Sequence, residues 1–225
     1  MSNLPLPKRE SGATAVNWLE LDRSPHAIQF YSSEEFLLDS LSRFISTALE
    51  AGDSCFVFAT EAHFDGLADR LKARGVRTDA AVRKGRYVTA NASEVLARLM
   101  VNGKLDRTRF EEFIREVLLP LKNAAVSKSR GVAVCGELVA MLWAQGKAED
   151  AIEIERFWNE LATEGCYYLR CFYPITSFSD PGQNKLFLKL CAEHAGLIPR
   201  ESEVAQLAEE ERLASIVMQF EAHGK

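Results

Sequence analysis

Apolar positions in this chain fall into short runs and helical stripes that alternate from residue 27 to beyond residue 190. Ile28, Phe30 and Tyr31 predict a strand over 27–31, after which Ser32 or Ser33 can cap a helix that carries Glu34 and Glu35 in its first turn. Phe36, Leu37, Leu41, Phe44, Ile45 and Leu49 give that helix a stripe of helical period, ending at Gly52. Cys55, Phe56, Val57, Phe58 and Ala59 are apolar on both faces, the pattern of a buried parallel strand. Thr60 opens a second helix that runs to about Arg74, with Phe64, Leu67 and Leu71 on one side and Gly75 as its stop. Further strands are predicted over 87–89, 131–135 and 167–173, the last closed by Pro174. Further helices are predicted over 94–101, 106–128, 138–144, 148–163 and 185–194. Pro120 lies inside the long 106–128 pattern and is expected to kink or divide it.

Strands alternating with helices of this length predict an α/β fold, a three-layer, mostly parallel sheet with helices on both faces. Residues 1–24 read as a flexible leader and 25–199 as one domain. Residues 200–225 read as a C-terminal amphipathic helix, because Leu213, Ile216, Val217 and Phe220 recur at helical spacing among Glu209, Glu210, Glu211 and Arg212. Such a helix suits docking or dimerisation, so a homo-oligomer is one expectation.

Charge and composition narrow the partners. With 27 Lys and Arg against 32 Asp and Glu the net charge is -5, which disfavours a track along nucleic-acid phosphates. The longest apolar run, 138–144, falls far short of the roughly 20 residues that span a bilayer, and 1–23 has no signal-peptide core. Neither direct nucleic-acid binding nor a membrane is expected. The five cysteines are odd in number and form no C-x-x-C pair, which fits a reducing cytoplasm rather than a disulfide framework or zinc knuckle. Cys191 and His194 lie three apart, but no second pair of ligands accompanies them, so neither a metal nor another cofactor is expected.

Several short motifs occur in a fixed order. They are His26, Ala27, Ile28, Gln29, Phe30 and Tyr31; Ala51, Gly52 and Asp53; Phe58, Ala59 and Thr60; Gly136, Glu137, Leu138 and Val139 with Leu142 and Trp143. Glu155, Arg156, Phe157, Trp158, Asn159, Glu160 and Leu161 follow, then Cys171, Phe172, Tyr173 and Pro174, then Cys191, Ala192, Glu193 and His194 with Ile198 and Pro199. Over roughly residues 25–200 this ordered set resembles the MEDS domains, sensors of methanogens and methylotrophs. Leu138, where relatives commonly have Met, is a conservative departure. The resemblance implies a fold similar to KaiC-type RecA ATPases and a sensory role often fused to histidine kinases or helix-turn-helix domains. Segments 1–24 and 200–225 are too short for either output, so a separate histidine kinase, response regulator or transcription regulator is the expected partner.

The resemblance to an ATPase fold meets a chemical obstacle. A phosphate loop needs G-x-x-x-x-G-K-[ST], whose backbone N–H groups wrap phosphates while Lys neutralises them and Ser or Thr holds Mg²⁺. The corresponding turn here is Tyr31, Ser32, Ser33, Glu34 and Glu35, with neither Gly nor Lys. Its two carboxylates would satisfy the positive helix end and repel a triphosphate. A non-catalytic sensory or regulatory domain is therefore expected, with a degenerate nucleotide-binding protein and a pure interaction module as alternatives.

Open α/β folds bind ligands at the carboxyl edge of the sheet. The strand-end residues Tyr31, Thr60, Glu61, Glu137 and Tyr173, with His26 and Trp143 nearby in sequence, are the candidate ligand-binding groups for a small molecule. Three of them have a plainer alternative. Glu137 can cap the next helix or accept a buried hydrogen bond, His26 can be a structural partner, and Trp143 and Trp158 can be core. Glu155 lies among Ile152, Ile154 and Phe157 and can face inward or solvent. No catalytic triad order can be argued from spacing.

Overall fold

A computed structural model describes residues 24–127, 131–163 and 167–198. The expected leader, Ser24 apart, and the expected C-terminal helix lie outside the described residues. The first half contains β1 (His26–Tyr31), α1 (Glu34–Glu50), β2 (Ser54–Ala59), α2 (Glu61–Ala73), α3 (Thr78–Arg83), β3 (Tyr87–Asn91) and α4 (Ala92–Leu99). A two-stranded ribbon of β4 (Met100–Val101) and β5 (Lys104–Leu105) leads to α5 (Arg107–Ala124). The second half contains β6 (Val132–Gly136), α6 (Leu138–Ala144), α7 (Ala148–Ala162), β7 (Tyr167–Pro174), α8 (Asn184–Ala192) and β8 (Gly196–Ile198).

Six strands form one sheet in the order β3-β2-β6-β7-β1-β8, and every pairing in it is parallel. Residues of β2 and β6 are buried throughout, as their apolar runs require for strands covered on both faces. On one face α1 and α2 pack through Leu37, Leu41, Phe44, Ile45, Leu67 and Leu71. On the other, α4 to α8 enclose the larger core, centred on Phe56, Phe58, Phe113, Trp158 and Leu169. This is the expected three-layer α/β arrangement. Among the described residues no helix is long and apolar enough to cross a membrane.

The structure departs from the sequence pattern at local points. α5 is continuous through Pro120 rather than divided. Pro120 and Glu116 are both exposed, so the Glu116 carbonyl left without an amide partner faces water. The pattern read as helix to residue 101 stops at Leu99, where the chain turns into β4. α3, β8 and the β4–β5 ribbon were not anticipated, being too short to show a period.

Candidate functional site

Register and alternation decide what meets at the sheet. β1 lies beside β7 with Ile28 opposite Cys171 and Phe30 opposite Tyr173. His26, Ile28 and Phe30 therefore share the face of Cys171 and Tyr173 that looks toward α7 and α8, while Tyr31 belongs with the α1 side.

At the carboxyl edge, Gly136 ends β6 opposite Phe58 with φ of 148°. A Cβ there would sit 1.9 Å from the Phe58 carbonyl oxygen, so only glycine lets the strands close this tightly. The next residue, Glu137, is delivered over the strand ends and is 5% exposed. Its backbone N–H donates to Phe58 O at 3.2 Å. Glu137 stands at the N-cap of α6 but makes no capping bond with its side chain, which corrects the capping alternative. Its carboxylate instead accepts from Tyr31 Oη at 3.1 Å and from His63 Nδ1 at 2.7 Å. Thr60 Oγ1 lies 3.0 Å from the same His63 nitrogen and likewise makes no cap bond to α2. His63 Nε2 is 3.8 Å from Glu34 Oε1. The Glu137 hydrogen bond outweighs burial and raises the His63 pKa. Burial first, then Glu137, raises that of Tyr31. Ser33 caps α1 by accepting from Phe36 N at 3.2 Å, and Glu34 and Glu35 occupy the first turn.

A second cluster lies on the α7 and α8 side of the sheet. Glu155 and Asn159, one turn apart on α7, both reach His26. His26 Nε2 is 3.1 Å from Glu155 Oε2 and 3.4 Å from Cys171 Sγ, and His26 Nδ1 is 2.7 Å from Asn159 Oδ1. Glu155 Oε2 also lies 3.4 Å from Cys171 Sγ, while Glu155 Oε1 accepts from Tyr173 Oη at 2.5 Å and lies 3.4 Å from His194 Nε2. The turn after α8 brings His194 in, its ring 4.3 Å from that of His26. Glu155 is fully buried, which resolves its open orientation in favour of the interior. Burial opposes its charge, yet His194 and His26 outweigh burial and depress its pKa. Burial likewise pulls His26 down, and Glu155 with Asn159 more than reverses this. His26, Glu155, Cys171 and His194 offer ligand atoms within 4.8 Å of one another, a set that could hold a metal ion.

The seven candidates are thus distributed over different places. Tyr31, Thr60 and Glu137 meet at the carboxyl edge, joined by His63, which the strand-end reading passed over. Glu61, the first residue of α2, is exposed and outside that network. His26 and Tyr173 meet instead through Glu155 in the second cluster. Trp143 is 4% exposed, donates from Nε1 to Ser177 O at 3.1 Å and packs on Phe178. It also lines a surface groove of about 360 Å³ with Gly146, Thr176, Ser177 and Gln183. Another groove, of about 390 Å³, runs between α5 and α7 along Phe110, Ile114, Leu119 and Phe157. His194, noted in the sequence for its spacing from Cys191, lies with His26, Glu155 and Cys171 instead, while its Nδ1 donates to Leu190 O at 2.9 Å.

Among solved structures the chain is similar to a KaiC-like protein from the hyperthermophilic archaeon Pyrococcus horikoshii OT3. The two are 10% identical, with a TM-score of 0.47 over 77% of this chain and 71% of that one. No curated protein matches the sequence. The model of the methanogen/methylotroph, DcmR sensory domain matches residues 25–188, a span that contains β1 to β7, the carboxyl-edge network and every member of the second cluster named above except His194. The chain belongs to the MEDS family of sensory domains.

Proposed function

We propose that this protein is a non-catalytic sensory or regulatory module that binds a small molecule or a partner protein and relays its state to a separate output protein. A histidine kinase, response regulator or transcription regulator is the fitting output. The observation that carries the reading is the carboxyl edge itself. Where a nucleotide-binding relative of such a fold would place phosphates, Glu34 and Glu35 occupy the helix start and Glu137 is already bound to Tyr31 and His63. Negative charge at that helix end opposes a triphosphate, and the Glu137 carboxylate is buried and already held by two protein donors. The free cysteines Cys55, Cys135, Cys171 and Cys191 support work in a reducing compartment such as the cytoplasm.

Two measurements test this. Calorimetric titration with Mg²⁺ and ATP is expected to give neither stoichiometric binding nor phosphate release. Binding or turnover that disappears in Glu137→Gln would reverse the non-enzymatic reading. A thermal-shift screen of small organic molecules is expected to find a compound that raises the melting temperature as its concentration passes its Kd. Native-state binding adds about 2.7 kcal/mol of stability at a hundredfold excess over Kd. A broad panel with no shift, together with a hydrodynamic mass above that of one chain, would favour the interaction-module alternative.

A further inference from the structure

The second cluster has the geometry and chemistry of a metal site. A tetrahedral zinc centre with bonds of about 2.0 to 2.3 Å has ligand-to-ligand edges of roughly 3.3 to 3.7 Å. Three edges meet at one carboxylate oxygen and its neighbours, 3.1 Å (His26 Nε2 to Glu155 Oε2), 3.4 Å (His26 Nε2 to Cys171 Sγ) and 3.4 Å (Cys171 Sγ to Glu155 Oε2), while His194 Nε2 lies 3.4 Å from the other oxygen, Glu155 Oε1, and the four ligand atoms fall within 4.8 Å of one another. The outer partners orient both imidazoles for ligation. Asn159 Nδ2 donates to Glu193 O at 2.7 Å, so Asn159 Oδ1 can only accept, and His26 Nδ1 must carry a proton. His194 Nδ1 faces the Leu190 carbonyl and must carry one too. In their neutral forms both rings therefore point an Nε2 lone pair at the centre, the tautomer that metal-binding histidines are held in. The His194 side chain is 1% exposed, and its Nε2 has no hydrogen-bond partner among the described residues. A bare lone pair facing a carboxylate oxygen at 3.4 Å is unfavourable, and either a proton on Nε2 or a metal ion relieves it.

We infer that His26, Glu155, Cys171 and His194 form a closed binding site for one divalent transition metal ion of the zinc type. One thiolate and two imidazoles exclude Mg²⁺ and Ca²⁺, which take oxygen ligands. The carboxylate and thiolate balance the dication, leaving a neutral buried centre. Loading releases the Cys171 thiol proton, and any proton held between His26 and Glu155, to solvent. Four protein ligands leave no open position, so the ion ties α7 and the β1–β7 pair to the turn between α8 and β8 rather than activating water. This inference does not depend on the sensory reading.

The full chain, purified without chelator, is expected to carry one zinc per chain, and its zinc-edge X-ray absorption to require one sulfur and three lighter ligands. After metal removal, titration with Co²⁺ is expected to give a thiolate-to-cobalt charge-transfer band. That band should vanish in Cys171→Ser and persist in Cys166→Ser and Cys191→Ser. Asn159→Ala, which keeps every ligand but frees the His26 ring, should weaken zinc binding roughly 10- to 100-fold. Should Cys171→Ser fail to fold by circular dichroism, the absorption edge of the unaltered chain decides alone. Substoichiometric metal, an edge spectrum without sulfur, or a cobalt band retained in folded Cys171→Ser would overturn the inference.

Discussion

His63 sits between two carboxylates, Glu137 at 2.7 Å and the exposed Glu34 at 3.8 Å, with Tyr31 and Thr60 completing its surroundings. Its pKa is raised in the folded state, chiefly by the Glu137 hydrogen bond. The contribution to stability is therefore complete below the unfolded value of about 6.5 and is lost as pH rises through the folded value. Urea midpoints of the unaltered chain and His63→Gln, measured across that range, should draw together as pH increases. A constant gap would show that His63 contributes by packing alone. Gly136 is the more rigid requirement: Gly136→Ala forces a Cβ onto the Phe58 carbonyl, and a loss on the order of 3 kcal/mol is expected by urea denaturation. The His63 network leaves a faint trace in the sequence, since a residue three positions after Thr60 falls in the first turn of a helix opening at a strand end. Nothing in the sequence tells that Glu137, 74 residues further on, would be its partner, because that depends on β2 pairing with β6.

At the level of elements, the continuous α5 makes Pro120 a removable defect. Pro120→Ala restores an exposed helical N–H, and stability should rise by about 1 kcal/mol, the helix gain being partly offset by greater freedom of the unfolded chain. A decrease would mean that the proline sets the helix direction needed by Leu118 and Leu121. On α7, Asn159 bonds both His26 and the Glu193 carbonyl. Asn159→Ala should cost about 2 kcal/mol and speed hydrogen exchange at the Ala195 amide, which donates to His26 O at 2.8 Å. Unchanged exchange there would detach the α8–β8 turn from α7. The long elements were legible because their periods are long: the stripe from Leu37 to Leu49 and the uncharged runs of β2 and β6 each admit one reading. α3 and β8 were not, since six and three residues carry no period. The second cluster was invisible for a related reason. Its members were each noticed, but only the β1–β7 register and the fold-back after α8 bring them together.

For the whole molecule, the two cores lie on opposite faces of one sheet and share β2, β6, β7 and β1 as a common wall. Loss of either helical layer exposes apolar strand residues, so the described layers are expected to unfold together. Trp143 and Trp158 both lie on the α4–α8 side, which makes fluorescence in a Trp18→Phe background a reporter of that layer alone. Urea transitions followed by this fluorescence and by far-ultraviolet circular dichroism should coincide. Separate midpoints would show that one layer melts first.

His26 takes part in two unlike bonds at once. Its ring reaches into the cluster beneath the sheet, while its carbonyl holds the Ala195 amide just ahead of β8. Ring and carbonyl belong to one residue, so His26 joins the cluster to the chain entering the outermost strand. The buried centre and the sheet's margin at β8 thus share one residue as their joint.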